Sequence, residues 1–497
     1  MIIDNMIKRF KEFYNKSIYN KLFLIVLSLS LIYFVYYFIK TFSQALWFDE
    51  ADYLNYARYL ANGFPIATFS PIRPILFSLI ASSFFKLHLG ELALRILMGL
   101  FYFSNIILVY LIGKEMFDDF TALAASIFTA IFWSHLFFSY RLLVDVPVLT
   151  FWLLTVLFFF KGYVNKKDNI YTLLLIPTLI LGFLMKYTNA LLAIIIILYL
   201  VITERFSFIK NKNLIKSTLI SFILLIPFFI WQYVSYGSPI AFFLQTFGTR
   251  TTLGRSFIDS LITQLKSFLS IEGIILMVLS ILGFLYLLQI FLGLDIIIKN
   301  KDKALGNKLF LFLWIVLTIL FAAKINYGYY IEERYYFNFF IGLFLAAGLV
   351  LSKLYNLLKK YNKYISTIVI VLIIVFIVNS NIEMANSNII TKADSFKQVK
   401  EAGIWLNQHL SKDEGYISPA TSAEIQYHSE RQNYAVDISE AFTNPKIKYV
   451  VLSFFNQMPD KFIEGVKNNQ DKLKPVVSFY LVDNDKQPIV LILEVKK

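Results

Sequence analysis

Cysteine is absent from all 497 residues of the chain, so neither disulfide bonds nor thiolate metal sites can hold its outer parts together. Charge is also sparse. Asp, Glu, Lys and Arg make up 16% of the sequence against 58% apolar residues, a balance that soluble proteins rarely show. No internal repeat or low-complexity tract stands out. What is abundant is aromatic surface, with 51 Phe and 31 Tyr, as expected of helices that face lipid tails and anchor at membrane interfaces.

The net charge of +14 does not indicate nucleic acid, because Lys and Arg sit in short clusters between apolar runs rather than along one basic face. Eleven such runs read as membrane-spanning helices: 22–39, 93–112, 121–139, 146–160, 170–185, 187–202, 217–234, 274–298, 309–323, 335–351 and 364–378. Several are short against the ~20 residues that a span needs, so their ends must extend. The basic loops 161–167, 205–216, 299–308 and 353–363 fall on the same side as the basic N-terminus (Lys8, Arg9, Lys11, Lys16, Lys21). By the positive-inside rule that side is cytoplasmic. The loop 113–120 is neutral to acidic and has no vote. Segment 74–85, started by Pro71 and Pro74, would cover only about 18 Å as a helix, and reads as an interfacial or re-entrant helix on the outer side. Run 22–39 follows a basic stretch as a secretion signal would, but is long for a signal core and reads as the first span.

Past Val378 the composition turns polar, and no later run is long enough to cross. An amphipathic helix is expected at 396–410, strands at 448–453, 476–482 and 489–495, and a helix near 461–466. The fold class is therefore a polytopic α-helical membrane protein with about eleven spans and a small C-terminal extracytoplasmic α/β domain. Its expected parts are a cytoplasmic N-terminus 1–21, a transmembrane domain 22–380 with an outer catalytic loop at 40–92, and the soluble domain 381–497.

Residues able to do chemistry gather at the outer helix ends. Trp47-Phe48-Asp49-Glu50-Ala51-Asp52-Tyr53 puts adjacent carboxylates at the lipid boundary, ahead of an amphipathic stretch. A solvated acidic helix start explains the same pattern, since Asp and Glu favour helix N-termini. A second carboxylate comes at Ser139-Tyr140-Arg141-Leu142-Leu143-Val144-Asp145, where Arg141 and Asp145, four apart, can pair across a helical turn. If Asp145 instead approached Asp49, the two would make a two-carboxylate outer site. Arg73, Arg95, Lys186, Arg250, Arg255 and Arg334 supply cations at or near the same ends. Taken singly, each reads as a snorkelling anchor; six on one leaflet suit a phosphate. His135 with Asp145 could form part of a metal site, but a lone histidine at a helix end is more often structural, and no metal is predicted.

The Trp-x-Asp-Glu loop, the Pro-rich segment leading to Leu89-Gly90-Glu91-Leu92-Ala93-Leu94-Arg95, the Arg141…Asp145 turn, Met185-Lys186-Tyr187 and Glu333-Arg334-Tyr335 occur in an order that resembles the GT-C glycosyltransferases. Within that group the chain is similar to the protein O-mannosyltransferases and the aminoarabinose transferases of the lipid A pathway. The resemblance covers residues 20–350 and is strongest in the first 190. It implies a sugar donor carried on a polyprenyl phosphate, dolichyl or undecaprenyl, and transfer to a protein, glycan or lipid acceptor on the outer face. It also implies that Asp49 is the catalytic aspartate accompanied by Glu50, that Asp145 is the second acidic site, and that Lys186 and Arg334 hold the donor phosphate. Arg141 and Arg73 join that clamp as candidates, and Arg95, Glu333 and His135 are secondary ones. No Trp-Trp-Asp motif of the oligosaccharyltransferases is present.

The implied chemistry is coherent, because an acceptor hydroxyl attacking an anomeric carbon benefits from a carboxylate that takes its proton. The departing phosphate needs cations, and no cofactor is required. Two other classes fit parts of the pattern. A transporter shares the helix count, but it would place polar groups near the membrane midplane and often shows repeats. A non-catalytic lipid-glycan binding protein would tolerate loss of Asp49.

Overall fold

The structure, a computed structural model, describes residues 11–64, 69–248, 256–271, 273–293, 296–297, 302–325, 332–434, 437–482 and 487–496. In chain order its first helices are α1 (Ile18–Thr41), α2 (Phe48–Asn62), α3 (Leu76–Lys86), α4 (Gly90–Met116), α5 (Asp119–Ile131), α6 (Trp133–Ser139), α7 (Asp145–Phe158), α8 (Asn169–Met185) and α9 (Leu191–Glu204). There follow α10 (Lys212–Tyr236), α11 (Ala241–Gly248), α12 (Phe257–Ile271), α13 (Ile274–Leu287), α14 (Lys303–Ile325), α15 (Phe337–Lys359) and α16 (Lys363–Ala385). The C-terminal part runs α17 (Lys397–His409), β1 (Gly415–Ile417), α18 (Ser422–Ser429), β2 (Gln432–Asn433), α19 (Ser439–Thr443), β3 (Ile447–Ser453), α20 (Asp460–Asn468), β4 (Leu473–Phe479) and β5 (Val490–Val495).

Among the described residues nine helices are long and apolar enough to cross a membrane, or ten if α5 and α6, bent by 57° at their junction, make one span. The apolar α8 has 17 residues, roughly 25 Å of helix, and completes the set of eleven runs read from the sequence. The chain is a multi-span membrane protein. Helix α3 has 11 residues and is too short to cross, as its composition predicts. Run 274–298 is helical through Leu292, and residue 298 lies outside the described residues. The sequence reading missed α12. Its apolar positions are interrupted by Asp259, Thr263, Gln264 and Lys266, which hide a short amphipathic helix. Ser260 and Gln264 face inward and donate to the carbonyls of Ala323 and Ala322, at 2.9 and 3.2 Å.

The chain divides into two compact units. The first comprises Met1–Ile39, Leu97–Tyr140 and Val144–Asn388. Its centre is α15, most of whose residues are buried. Small residues let the helices close on it: a Cβ at Gly283 would stand 2.5 Å from the Ala346 backbone, and one at Gly348 would stand 2.9 Å from the Thr121 carbonyl. Without a hydrophobic driving force between helices in lipid, such close backbone approach supplies the packing.

The second unit comprises Lys40–Ile96, Arg141–Leu143 and Ile389–Lys497. Its sheet has the order β2-β1-β3-β5-β4, with β2, β1 and β3 parallel and β5 and β4 antiparallel to their neighbours. Alternation along the strands sends residues to opposite faces. Val451 and Ile492 pack with Val399, Ala402 and Leu406 of α17 and Ile425 of α18. Val450 and Leu493 pack with Ala441 of α19 and Phe462 of α20. Pro475 sits on the edge strand at a register shift, where a missing N–H costs no ladder bond. The helix expected at 396–410, the three expected strands and the helix near 461–466 all appear; β1, β2, α18 and α19 are too short to announce themselves by periodicity.

Candidate functional site

In the first unit the chemistry gathers on Asp145. Asp145 opens α7, where a carboxylate complements the helix N-terminus, and Pro147 two residues on is tolerated because its missing N–H falls in the first turn. The carboxylate is 2% exposed. Lys186 Nζ donates to its Oδ1 at 2.5 Å, and Arg334 Nη1 stands 3.6 Å from its Oδ2. Lys186 ends α8 in an extended conformation, and the turn that holds it depends on Gly182. Gly182 accepts from the Lys186 N–H at 2.9 Å, and a Cβ there would meet Asn189 Nδ2 at 2.2 Å. Arg334 precedes α15 in a 3-10 turn, Glu333–Tyr336. Its Nε pairs with Glu332, and its Nη2 lies 3.1 Å from the Tyr335 hydroxyl. The Tyr335 ring carries Lys186 Nζ at 4.5 Å and the Arg334 guanidinium at 5.0 Å from its centre. The result is a pair of cations converging on one carboxylate and one aromatic face, which suits a phosphate oxygen.

The second unit holds the acidic start of α2. Asp49 and Asp52 are three residues apart and share a helix face. Arg73, from the turn between Pro71 and Pro74, bridges them: its Nη2 donates to Asp49 Oδ1 at 2.9 Å and its Nε pairs with Asp52. Its guanidinium also lies over the rings of Phe48 and Tyr53, at 5.6 and 5.3 Å. Burial disfavours the Arg73 cation, yet Asp52 and Asp49 outweigh it and hold its pKa above the usual guanidinium range. Burial raises Asp52, an effect that Arg73 opposes and Asp49 reinforces. The side chain of Asp49 is 32% exposed and that of Asp52 16%, so Asp49 is the carboxylate of the pair better able to meet a substrate.

Glu50 is fully buried and both its oxygens are engaged. Oε2 accepts from the Trp47 N–H at 2.7 Å, one half of a capping box on α2, and Oε1 accepts from the Leu142 N–H at 2.5 Å. Arg141 Nη1 stands 3.6 Å from Oε2. The same guanidinium donates to the carbonyls of Ala45 and Lys392, at 3.0 and 3.1 Å, and lies 4.1 Å from the Trp47 ring centre. Burial lowers Arg141 to about 10, with Glu50 opposing and Arg95 adding to the fall. Arg95 is itself paired with Glu91 at 2.6 Å and bonded to the Gln44 carbonyl at 3.1 Å.

The candidate residues thus sort by partner. Lys186 and Arg334 meet on Asp145, Arg73 sits between Asp49 and Asp52, and Arg141, grouped with the phosphate clamp from sequence, stands on Glu50. Arg141 and Asp145, whose four-residue spacing would allow a pair across a helical turn, are instead partnered by Glu50 and Lys186. His135 is buried within the helices, its Nε2 3.1 Å from Asn105 Nδ2 and its Nδ1 3.3 Å from the Thr129 carbonyl. Among the described residues no group of three His, Asp or Glu side chains is arranged to hold a metal ion. Arg250 and Arg255 lie outside the described residues. Glu332, rather than Glu333, is the acid paired with Arg334. Asp52, Glu91 and Glu332 were not singled out, although the i, i+3 spacing from Asp49 and the i, i+4 spacing to Arg95 announced the first two.

Residues 72–231 match the family model described as dolichyl-phosphate-mannose-protein mannosyltransferase, a stretch holding Arg73, Arg141, Asp145 and Lys186 but not Asp49 or Arg334. No curated protein matches the sequence significantly. ArnT from Cupriavidus metallidurans in the apo state superposes with a TM-score of 0.65 at 12% identity, over 95% of this chain and 97% of that one. The same protein bound to undecaprenyl phosphate gives 0.64 at 12%, over 94% and 97%. Archaeal oligosaccharyltransferase AglB from Archaeoglobus fulgidus, in complex with an inhibitory peptide and a dolichol-phosphate, gives 0.60 at 15%, over 89% and 70%. The chain has the GT-C fold. At these identities the likeness concerns architecture, and the residues of each unit have to make the case for activity.

Proposed function

We propose that this GT-C protein is a glycosyltransferase that moves a sugar from a polyprenyl-phosphate donor to an acceptor on the outer face of a cell membrane. The observation that carries the reading is the convergence of Lys186 and Arg334 on Asp145 beside Tyr335. Two cations placed at helix ends and already desolvated in part are suited to a phosphate diester. The match of residues 72–231 to a family named for a dolichyl-phosphate sugar, and the polyprenyl phosphates bound by two proteins of the same fold, support the same donor class.

In this reading an acceptor hydroxyl attacks the anomeric carbon, a new C–O bond forms, and the bond from that carbon to the phosphate oxygen breaks with its electron pair leaving on the phosphate. Asp49 takes the acceptor proton, a contribution of about 10²–10⁴-fold in rate. Lys186 and Arg334 neutralise the charge left on the lipid phosphate. Arg73 holds Asp49 in place. Glu50 and Arg141 organise the entry to α2 instead of touching substrate. No metal enters the scheme. The positive-inside pattern supports a cytoplasmic N-terminus and an acidic loop on the outer side. Incubating the purified protein with a panel of polyprenyl-phosphate sugars tests the reading: consumption of one of them supports it, and binding without consumption by any combination of donor and acceptor would sink it.

A further inference from the structure

Where α18 packs on α2, within the second unit, several buried polar atoms have no hydrogen-bond partner among the described residues: Asn55 Oδ1, Thr421 Oγ1 and both carboxylate oxygens of Glu424. The three residues are 2%, 3% and 1% exposed, so bulk water does not satisfy them, and leaving such groups unpaired is costly. The surrounding contact is otherwise well made. Asn55 Nδ2 donates to the Ala423 carbonyl at 2.9 Å, and Arg58 Nη1 donates to the Tyr427 carbonyl at 2.7 Å. The Arg58 guanidinium lies 3.9 Å from the Tyr427 ring centre.

Thr421-Ser422-Ala423-Glu424 has the spacing of a capping box, in which the threonine oxygen and the glutamate carboxylate each satisfy a backbone N–H of the other residue. Here the box is not made. Thr421 adopts φ +49°, a left-handed conformation that β-branched residues rarely take, and makes no side-chain cap bond. The Glu424 carboxyl makes no hydrogen bond to the Thr421 N–H. Burial, followed by the negative charges of Asp49, Asp52 and Glu50, pushes this carboxyl up to about 7, so Glu424 also lies within electrostatic reach of the acidic start of α2.

Resting on the transferase reading, we propose that the start of α18 is the acceptor subsite, where Asn55, Thr421 and Glu424 bind the hydroxyl groups of a neutral acceptor next to Asp49. The open atoms are mostly acceptors, so their partner must donate; a hydroxyl donates and can also receive from Thr421 or a protonated Glu424. The neighbouring carboxylates disfavour an anionic acceptor.

The test uses the full chain in lipid nanodiscs with a polyprenyl-phosphate sugar that it consumes and three acceptor probes: octyl mannoside, a Ser/Thr-containing peptide, and octyl mannoside 6-phosphate. Transfer to a neutral probe is expected. Glu424→Gln and Thr421→Val should raise the KM for that acceptor about tenfold, more than they lower kcat, while undecaprenyl phosphate binds as before. Thr421→Ser, which restores the hydroxyl, should restore the KM, and this pair carries the test if Glu424→Gln fails to fold. Unchanged acceptor KM in folded variants, with Asp49→Asn still inactive, overturns the subsite and leaves the transferase reading standing. Transfer to the phosphorylated probe alone also overturns it. No transfer in any arm counts against the transferase reading, and the subsite falls with it.

Discussion

Lys186 Nζ lies 2.5 Å from Asp145 Oδ1, and the carboxylate it meets is 2% exposed. A buried carboxylate without its cation is strongly unfavourable, so the pair has a structural part to play whether or not a donor is bound. The two roles can be separated. Lys186→Ala is expected to weaken undecaprenyl phosphate binding at least about tenfold and to cost about 3–5 kcal/mol of stability. Adding Asp145→Asn should recover most of the stability and none of the affinity. Thermal unfolding and lipid-phosphate titration of the single and double variants check this. Unaltered lipid affinity in both Lys186→Ala and Arg334→Ala would mean that the clamp lies elsewhere.

Asp49 and Asp52 share Arg73 but should not share a function. Asp49→Asn is expected to abolish sugar transfer while donor binding survives. Asp52→Asn, on the more buried member of the pair, should retain measurable turnover, because its main task is to hold Arg73. Single-turnover rates on folded protein distinguish the two, and equal losses would contradict the assignment.

Removing Arg73 takes away the cation that bridges Asp49 and Asp52. Asp52 then holds its proton to higher pH, since Arg73 is the influence that lowers it, and Asp49 loses the cation that favours its charged form. The acidic limb of the pH–rate profile is therefore expected to move upward in Arg73→Ala, and Arg73→Lys should move it less. A limb that stays in place would detach Arg73 from the base.

The raised Glu424 carboxyl makes a prediction about stability. A carboxyl whose folded-state pKa is about 7 binds its proton more tightly in the folded chain than in the unfolded one, where the ordinary value is about 4.3. Its contribution is fully present below the unfolded value and is lost as pH rises through about 7. Wild-type protein should accordingly lose thermal stability between about pH 5 and pH 8, and Glu424→Gln should flatten that part of the profile. Parallel melting curves for the two proteins across the window settle the point.

Much of this arrangement could be read from the sequence. Apolar length and the placement of basic clusters gave the spans, because lipid leaves backbone polar groups no partners except those within a helix. The position of Asp145 beside a helix start and of Lys186 in a tight turn was equally plain. The pairing of Arg141 with Glu50 was not, since a four-residue spacing to Asp145 gave an obvious local partner, while its actual contacts come from Ala45 and Lys392, far away in the chain. Glu424 was invisible for a similar reason. Its surroundings are made by the packing of α18 on α2, and Thr-x-x-Glu reads as an ordinary cap until the backbone shows that the cap is not formed.

Because Gly182 both receives the Lys186 amide and leaves space for Asn189, the position of residue 186 is governed by main chain and by a missing methyl group, not by the length of its own side chain. Exchanging lysine for arginine there changes reach and geometry at the tip without disturbing the hairpin. An alanine at 182 would do the reverse, leaving the ammonium intact but shifting the platform from which it extends.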